Sequence, residues 1–271
     1  MISYQFLTYK GSQIAYLDNG QTSNELLVAF HGYADSAKQF LPWFECETKF
    51  RIIALDLPYH GASSANTRVL KPYDICAIIQ AIVSDHSYEK WHLAGFSMGA
   101  RIVLGILPFM PLELGQLIFI SPAGFNYSPS LSKLLFPLCI RRSFGSWLIN
   151  GRFLPRFWWL FHKMHCISSQ SYHIFARQVQ TPDKRARMLY VWSMMYYFCN
   201  KISGKHWRYL DYSEKVILLC GKGDQVTPAQ QVERLCANRN NVHFHLMEGD
   251  HFLLAKQGEQ LRQFLLNNDY L

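Results

Sequence analysis

The 271-residue chain is short of charge: only 17% of it is Asp, Glu, Lys or Arg, against 49% hydrophobic residues. That balance excludes an intrinsically disordered chain. It also lacks any apolar run near the roughly 18 residues that a membrane-crossing helix needs. The longest candidates, around Leu104 to Leu114 and Trp158 to Phe161, are short or broken by proline. The stretch Met1 to Thr8 has neither a basic n-region nor an apolar h-region and is not expected to act as a signal peptide. No Cys-x-x-Cys pair occurs among the seven scattered cysteines. An odd, unpatterned set suits a reducing compartment with most thiols buried, so a cytoplasmic location is expected.

The sharpest shortage is local. Between Phe125 and Leu210, Asp183 is the single acidic residue among 13 Lys and Arg, which leaves 14 basic and 18 acidic residues for the rest of the chain. The net +8 therefore resides in one internal segment. A charge boundary of this kind reads as a domain boundary. Residues 1–124 and 211–271 are expected to form one core, and 125–210 an inserted, basic and aromatic cap.

Outside that segment the pattern is regular. Ser3–Tyr9 and Gln13–Asp18 flank Lys10-Gly11-Ser12 and read as a hairpin. Short apolar runs then recur at Leu26–Phe30, Arg51–Asp56, Lys90–Gly95, Gln116–Ser121, Lys215–Gly221 and Val242–Met247. Near-continuous apolar runs of this length suit strands buried on both faces of a parallel sheet. The stretches Tyr73–His86, Met98–Leu107, Pro228–Ala237 and Phe252–Leu266 have helical length and period. The alternation predicts an α/β doubly wound, mostly parallel sheet, interrupted by a mainly helical insert.

One pentapeptide carries chemistry: Gly95-Phe96-Ser97-Met98-Gly99, placed between an apolar strand and a helix. A serine on a tight strand-to-helix turn has its hydroxyl lifted clear of the sheet, and glycines on either side relieve the crowding. The helix start beside it favours developing negative charge. In this context the sequence resembles the α/β-hydrolase superfamily over essentially all of the chain except the insert. The family order is nucleophile, acid, histidine. Gly221-Lys222-Gly223-Asp224, followed by Gln225-Val226-Thr227-Pro228, resembles the acid loop, and Glu248-Gly249-Asp250-His251-Phe252 resembles the histidine loop.

The resemblance implies a triad of Ser97, His251 and Asp224. A serine hydroxyl needs a base to become a nucleophile, and the base needs a third group to fix its tautomer. It also implies an oxyanion hole from the backbone N–H groups of Met98 and of Tyr33, the latter in a His31-Gly32-Tyr33 loop that matches the family's His-Gly-X. Asp56-Leu57-Pro58-Tyr59-His60-Gly61-Ala62-Ser63 is close to the family's D-x-P-G-H-G-x-S stretch, with Tyr59 in place of a glycine. Arg101, one helical turn after Ser97, resembles the branch that makes 2-succinyl-6-hydroxy-2,4-cyclohexadiene-1-carboxylate, where such an arginine goes with an acidic substrate.

Other readings of these residues stand beside this one. Ser97 could cap its helix, Asp224 could be a turn residue, and Asp56 and Asp250 are rival acids. Arg101 could be an exposed helix residue paired with an acid. His243 and His245 share a strand face, but no further ligand has metal-site spacing. His31 is expected to stabilise its loop, and His162, His165, His173 and His206 to be structural or surface residues.

The expected function is a serine hydrolase of esterase or thioesterase type with no metal or organic cofactor, acting on a small-molecule ester, thioester or acidic substrate. A lyase or carbon–carbon bond hydrolase on the same residues is the first alternative, and a non-catalytic binding protein the second. No nucleic-acid partner is expected, because no recognised motif accompanies the charge. The basic aromatic insert invites a weak membrane-surface contact, although aromatics packed on a core, with arginines snorkelling, fit the same composition.

Overall fold

A computed structural model describes residues 2–64, 69–84, 86–110, 114–125, 176–198, 202–236 and 239–271, with 156, 159–160, 162–164 and 172 between them. The chain divides into two compact units, Met1–Ser128 with Phe198–Leu271, and Pro129–Tyr197.

The first unit holds an eight-stranded sheet in the order β1-β2-β4-β3-β5-β6-β7-β8. The strands are β1 (Gln5–Tyr9), β2 (Ser12–Asp18), β3 (Glu25–Phe30), β4 (Arg51–Leu55), β5 (Lys90–Phe96), β6 (Leu114–Ile120), β7 (Lys215–Gly221) and β8 (Val242–Met247). β1 and β2 form the expected hairpin, closed by Lys10 at φ 49° and Gly11 at φ 80°, the left-handed pair that matches strand twist in a two-residue turn. β2 meets β4 antiparallel, and from β4 to β8 every pairing is parallel.

Burial follows position in the sheet. All seven residues of β6 are buried, whereas edge strands β1 and β8 are half-buried or exposed along most of their length. Side chains alternate across the strands. Leu27, Ala29, Ile118, Ile120, Ile217 and Leu219 line one face. That face packs on Phe40 and Trp43, the latter in the short α1 (Leu41–Phe44), and on the leucines of α7 (Leu253–Asn267). α2 (Pro72–Ile82) and α3 (Met98–Ile106) pack on each other, with α3 against β3 and β5. Apolar strands with helices on either side account for the doubly wound architecture.

α2 starts at Pro72, and Asp74 accepts the Lys71 N–H at 2.8 Å while pairing with Lys10 and the Tyr9 hydroxyl. That ties the first helix turn to the hairpin. Two further helices belong to the first unit: α5 (Gly204–Tyr212), most of which falls inside the expected 125–210 insert, and α6 (Ala229–Cys236). His206 lies in α5 and accepts the Ser203 N–H at 3.2 Å, a capping role.

In the second unit, α4 (Pro182–Met195) has Thr181 as its cap, accepting the Lys184 N–H, and Pro182 in its first turn. Arg185 is buried there, donating to the carbonyls of Val179 and Gln180. His162 stacks on Tyr172 at 4.3 Å between centroids. His165 and His173 lie outside the described residues. No helix among the described residues is long and apolar enough to cross a membrane.

Candidate active site

β5 ends at Phe96 and α3 starts at Met98, so Ser97 alone makes the turn between them. It does so at φ 49°, ψ −108°, a backbone region that costs a non-glycine residue of order 1–3 kcal/mol. The surroundings hold it there. Its N–H donates to the Ile120 carbonyl at 2.9 Å, and its carbonyl accepts from Ala123 and Ala100. The flanking glycines are needed for close approach. A Cβ at Gly95 would sit 2.6 Å from the Ala100 nitrogen, and one at Gly99 would overlap the Phe30 carbonyl. The pentapeptide is therefore a packing solution that brings β5, α3 and the end of β3 together.

Ser97 Oγ lies 2.8 Å from His251 Nε2, and His251 Nδ1 lies 2.8 Å from Asp224 Oδ2. The three side chains come from the loops after β5, β8 and β7, at the carboxyl ends of three strands on the same edge of the sheet, with β6 between β5 and β7, where open α/β sheets bind ligands. The aspartate fixes the tautomer. Nδ1 carries the proton donated to Asp224, so Nε2 presents its lone pair to the Ser97 hydroxyl.

The Asp224 side chain is fully buried. Burial pushes its pKa up, but the His251 hydrogen bond and charge, the Thr227 hydroxyl and the Thr227 N–H outweigh it and hold the carboxyl below its ordinary value. Oδ1 accepts from the N–H groups of Val226 and Thr227, each at 2.8 Å, and Oδ2 accepts from Thr227 Oγ1 at 2.6 Å. Thr227 is thus part of the site, although the sequence alone assigns it no role. The pattern of an acid whose side chain captures the N–H groups two and three residues on is a recognised turn, and it was the available signal.

The rival acids are otherwise engaged. Asp250 caps the Phe252 N–H and pairs with Lys256. Asp56 is buried and bridges two loops, with Oδ1 on the Ala37 N–H and Oδ2 on the Ala62 N–H. Ser63 locks the same turn, donating to the Asp56 carbonyl and accepting from the Ala15 N–H. Tyr59, where the resemblance expects glycine, takes a left-handed φ of 65°. The turn a glycine would make is kept, with strain.

His31 is buried and structural. Its Nδ1 donates to the Gly32 carbonyl and its Nε2 accepts the Leu57 N–H, which holds the His31-Gly32-Tyr33 loop in place. A Cβ at Gly32 would lie 3.7 Å from the Ser97 Cβ, so this loop runs beside the serine. Met98 opens α3, and its N–H is among the first-turn donors that have no partner within the helix. Arg101 stands on α3 one turn further on, half-buried. His243 and His245 pack on the chain end. The His245 ring lies 4.9 Å from Phe264, with Nε2 3.3 Å from the Tyr270 hydroxyl. Among the described residues no group of three His, Cys, Asp or Glu is placed to hold a metal ion.

Residues 25–136 match the profile of the alpha/beta hydrolase fold family. The chain has the α/β-hydrolase fold. A dihydrolipoyllysine-residue acetyltransferase component of the acetoin cleaving system of Pseudomonas putida is 31% identical over 122 residues, 43% of this chain and 32% of that protein. The 2-succinyl-6-hydroxy-2,4-cyclohexadiene-1-carboxylate synthase of Citrobacter koseri is 29% identical over 90 residues, 33% of this chain and 35% of that one. The matched part thus spans about a third of the length of these relatives. The thioesterase domain from the curacin biosynthetic pathway shares the fold over 98% of this chain and 99% of its own, with a TM-score of 0.67 and 16% identity.

Proposed function

We propose that the protein is a serine hydrolase that cleaves a carboxylic ester or thioester through an acyl-enzyme on Ser97. The observation that carries this reading is the unbroken run of hydrogen bonds from Ser97 Oγ through His251 to Asp224, 2.8 Å at each step. His251 Nε2 takes the hydroxyl proton as Oγ attacks the substrate carbonyl. Asp224, held ionised, stabilises the imidazolium that results. The protonated His251 then gives its proton to the leaving alcohol or thiol. In the second half it takes a proton from water as the water attacks the acyl group, and returns that proton to Ser97 Oγ as the acyl–oxygen bond breaks and the acid leaves.

The N–H groups of Met98 and Tyr33 are assigned to the oxyanion. Two observations support the assignment: Met98 directly follows the nucleophile at the start of α3, and the loop held by His31 runs beside Ser97 at Gly32. Each donor of this kind contributes about 3 kcal/mol to the transition state. The insert at 125–210 is assigned the role of a cap that selects substrate, and its Phe, Trp, Leu and Met favour an apolar acyl part. The buried, unpaired thiols of Cys76, Cys220 and Cys236 accord with a cytoplasmic setting.

A second reading rests on Arg101. One turn from Ser97, its guanidinium suits an acidic substrate and lyase or carbon–carbon hydrolase chemistry. A panel of p-nitrophenyl esters of rising chain length, run beside acyl-CoA, tests the main reading. Turnover that vanishes in folded Ser97→Ala is expected, and turnover that survives it contradicts the assignment. Arg101→Ala assayed on matched anionic and neutral esters separates the two readings. A selective loss on the anionic ester favours the second, and equal effects remove it.

A further inference from the structure

The second unit combines strong charge with exposed apolar side chains. Pro129–Tyr197 contains ten Lys and Arg and one acidic residue, against 17 and 18 in the rest of the chain. Not all of these cations face outward. Arg185 is buried on backbone carbonyls and Arg187 donates to Gln178. Arg156, Lys163 and Arg177 are exposed.

Beside two of them stand large apolar groups. Trp159 is 50% exposed, Leu160 48% and Met164 60%. The Met164 N–H donates to the Leu160 carbonyl at 2.9 Å, which is helical spacing, so Trp159, Leu160, Lys163 and Met164 fall on one side of the turn and Arg156 lies one turn before. Lys163 Nζ rests 4.7 Å from the centre of the Trp159 ring. An exposed apolar group set among cations marks an interaction surface rather than an ordinary solvated one.

We propose that this face of the second unit adsorbs to an anionic lipid bilayer. Trp159, Leu160 and Met164 enter the interface, and Lys163 and Arg156 meet the headgroups. Tryptophan is favoured at the headgroup level, and a short amphipathic face with Lys and Arg on its rim binds in the plane of the membrane. A nucleic acid would satisfy the cations and could stack on Trp159, but it offers nothing apolar for Leu160 and Met164. The proposal is independent of the hydrolase reading.

The test is co-sedimentation of the full chain with phosphatidylcholine vesicles and with vesicles of equal parts phosphatidylcholine and phosphatidylglycerol. Partitioning at least about tenfold stronger on the anionic vesicles, and weakened by added salt, is expected. Lys163→Glu and Trp159→Ala should each weaken it by about fivefold or more while leaving the urea midpoint unchanged. Should either variant lose stability, Lys163→Gln with Arg156→Gln supplies the same readout at exposed positions. Equal binding to both vesicle types overturns the proposal, as does indifference to these substitutions. So does retention on a single-stranded oligonucleotide with none on vesicles.

Discussion

Asp224 and Asp56 are both buried carboxylates at the carboxyl end of the sheet, and their partners separate them. Asp56 is occupied at both oxygens by backbone N–H groups of its neighbouring loops, whereas Asp224 directs Oδ2 at an imidazole. Sequence order suggested the difference, but only the turn geometry could show it, because both aspartates follow apolar strands. Thr227 was hidden for the same reason: its hydroxyl matters only once the turn folds it back on Asp224. Thr227→Val removes one hydrogen bond to a charged group, worth about 1.5–3 kcal/mol. If that loss is felt at the imidazolium, kcat should fall by at least about tenfold with little change in KM, and Thr227→Ser should restore it. Steady-state kinetics of the three proteins, with their pH profiles, check this. Equal behaviour of the Val and Ser variants would assign Thr227 to packing alone.

At the scale of elements, the strand-to-helix turn at Ser97 is the joint on which three others close. Gly99→Ala would drive a methyl group into the Phe30 carbonyl at the end of β3. Backbone cannot yield as a flexible side chain does, so a loss of about 3 kcal/mol or more is expected, read as a lowered urea midpoint. A midpoint within error of the parent would mean that the turn is looser than described. Most elements were legible beforehand for a physical reason. β6 is apolar at nearly every position because it lies inside the sheet and is buried along its whole length, and the hairpin announces itself through Lys10-Gly11. The second unit gave less away: α4 buries Arg185 together with Met188, Leu189, Tyr190, Val191 and Met194, so its sequence lacks a clean two-faced period. Much of 126–175 lies outside the described residues.

For the whole molecule, acid is the condition to watch. His92 is buried in β5, with Nδ1 accepting the Gln116 N–H. Burial pushes its pKa down to about 4. Its Nε2 lies 3.1 Å from Glu25, but a neutral imidazole makes this a polar contact and not an ion pair. With the folded value below the ordinary 6.5, the unfolded chain binds the extra proton. Stability is therefore full above about pH 6.5 and falls as pH drops toward 4, by about 3 kcal/mol in all. Asp224, held below the ordinary 3.8, adds stability above that value and withdraws it as pH falls further. Urea midpoints across pH 7 to 4 should decline, and His92→Gln should flatten the upper part of the decline. An unchanged slope in that variant would assign the acid sensitivity to other groups.

Labelling with a fluorophosphonate probe, followed by intact mass and peptide mapping, asks most directly whether residue 97 is a nucleophile activated by residue 251. The account predicts one adduct on folded protein, located at Ser97. It should be absent in Ser97→Ala and slower by at least about a thousandfold in His251→Ala. No adduct on folded protein, or one that persists in Ser97→Ala, would contradict it.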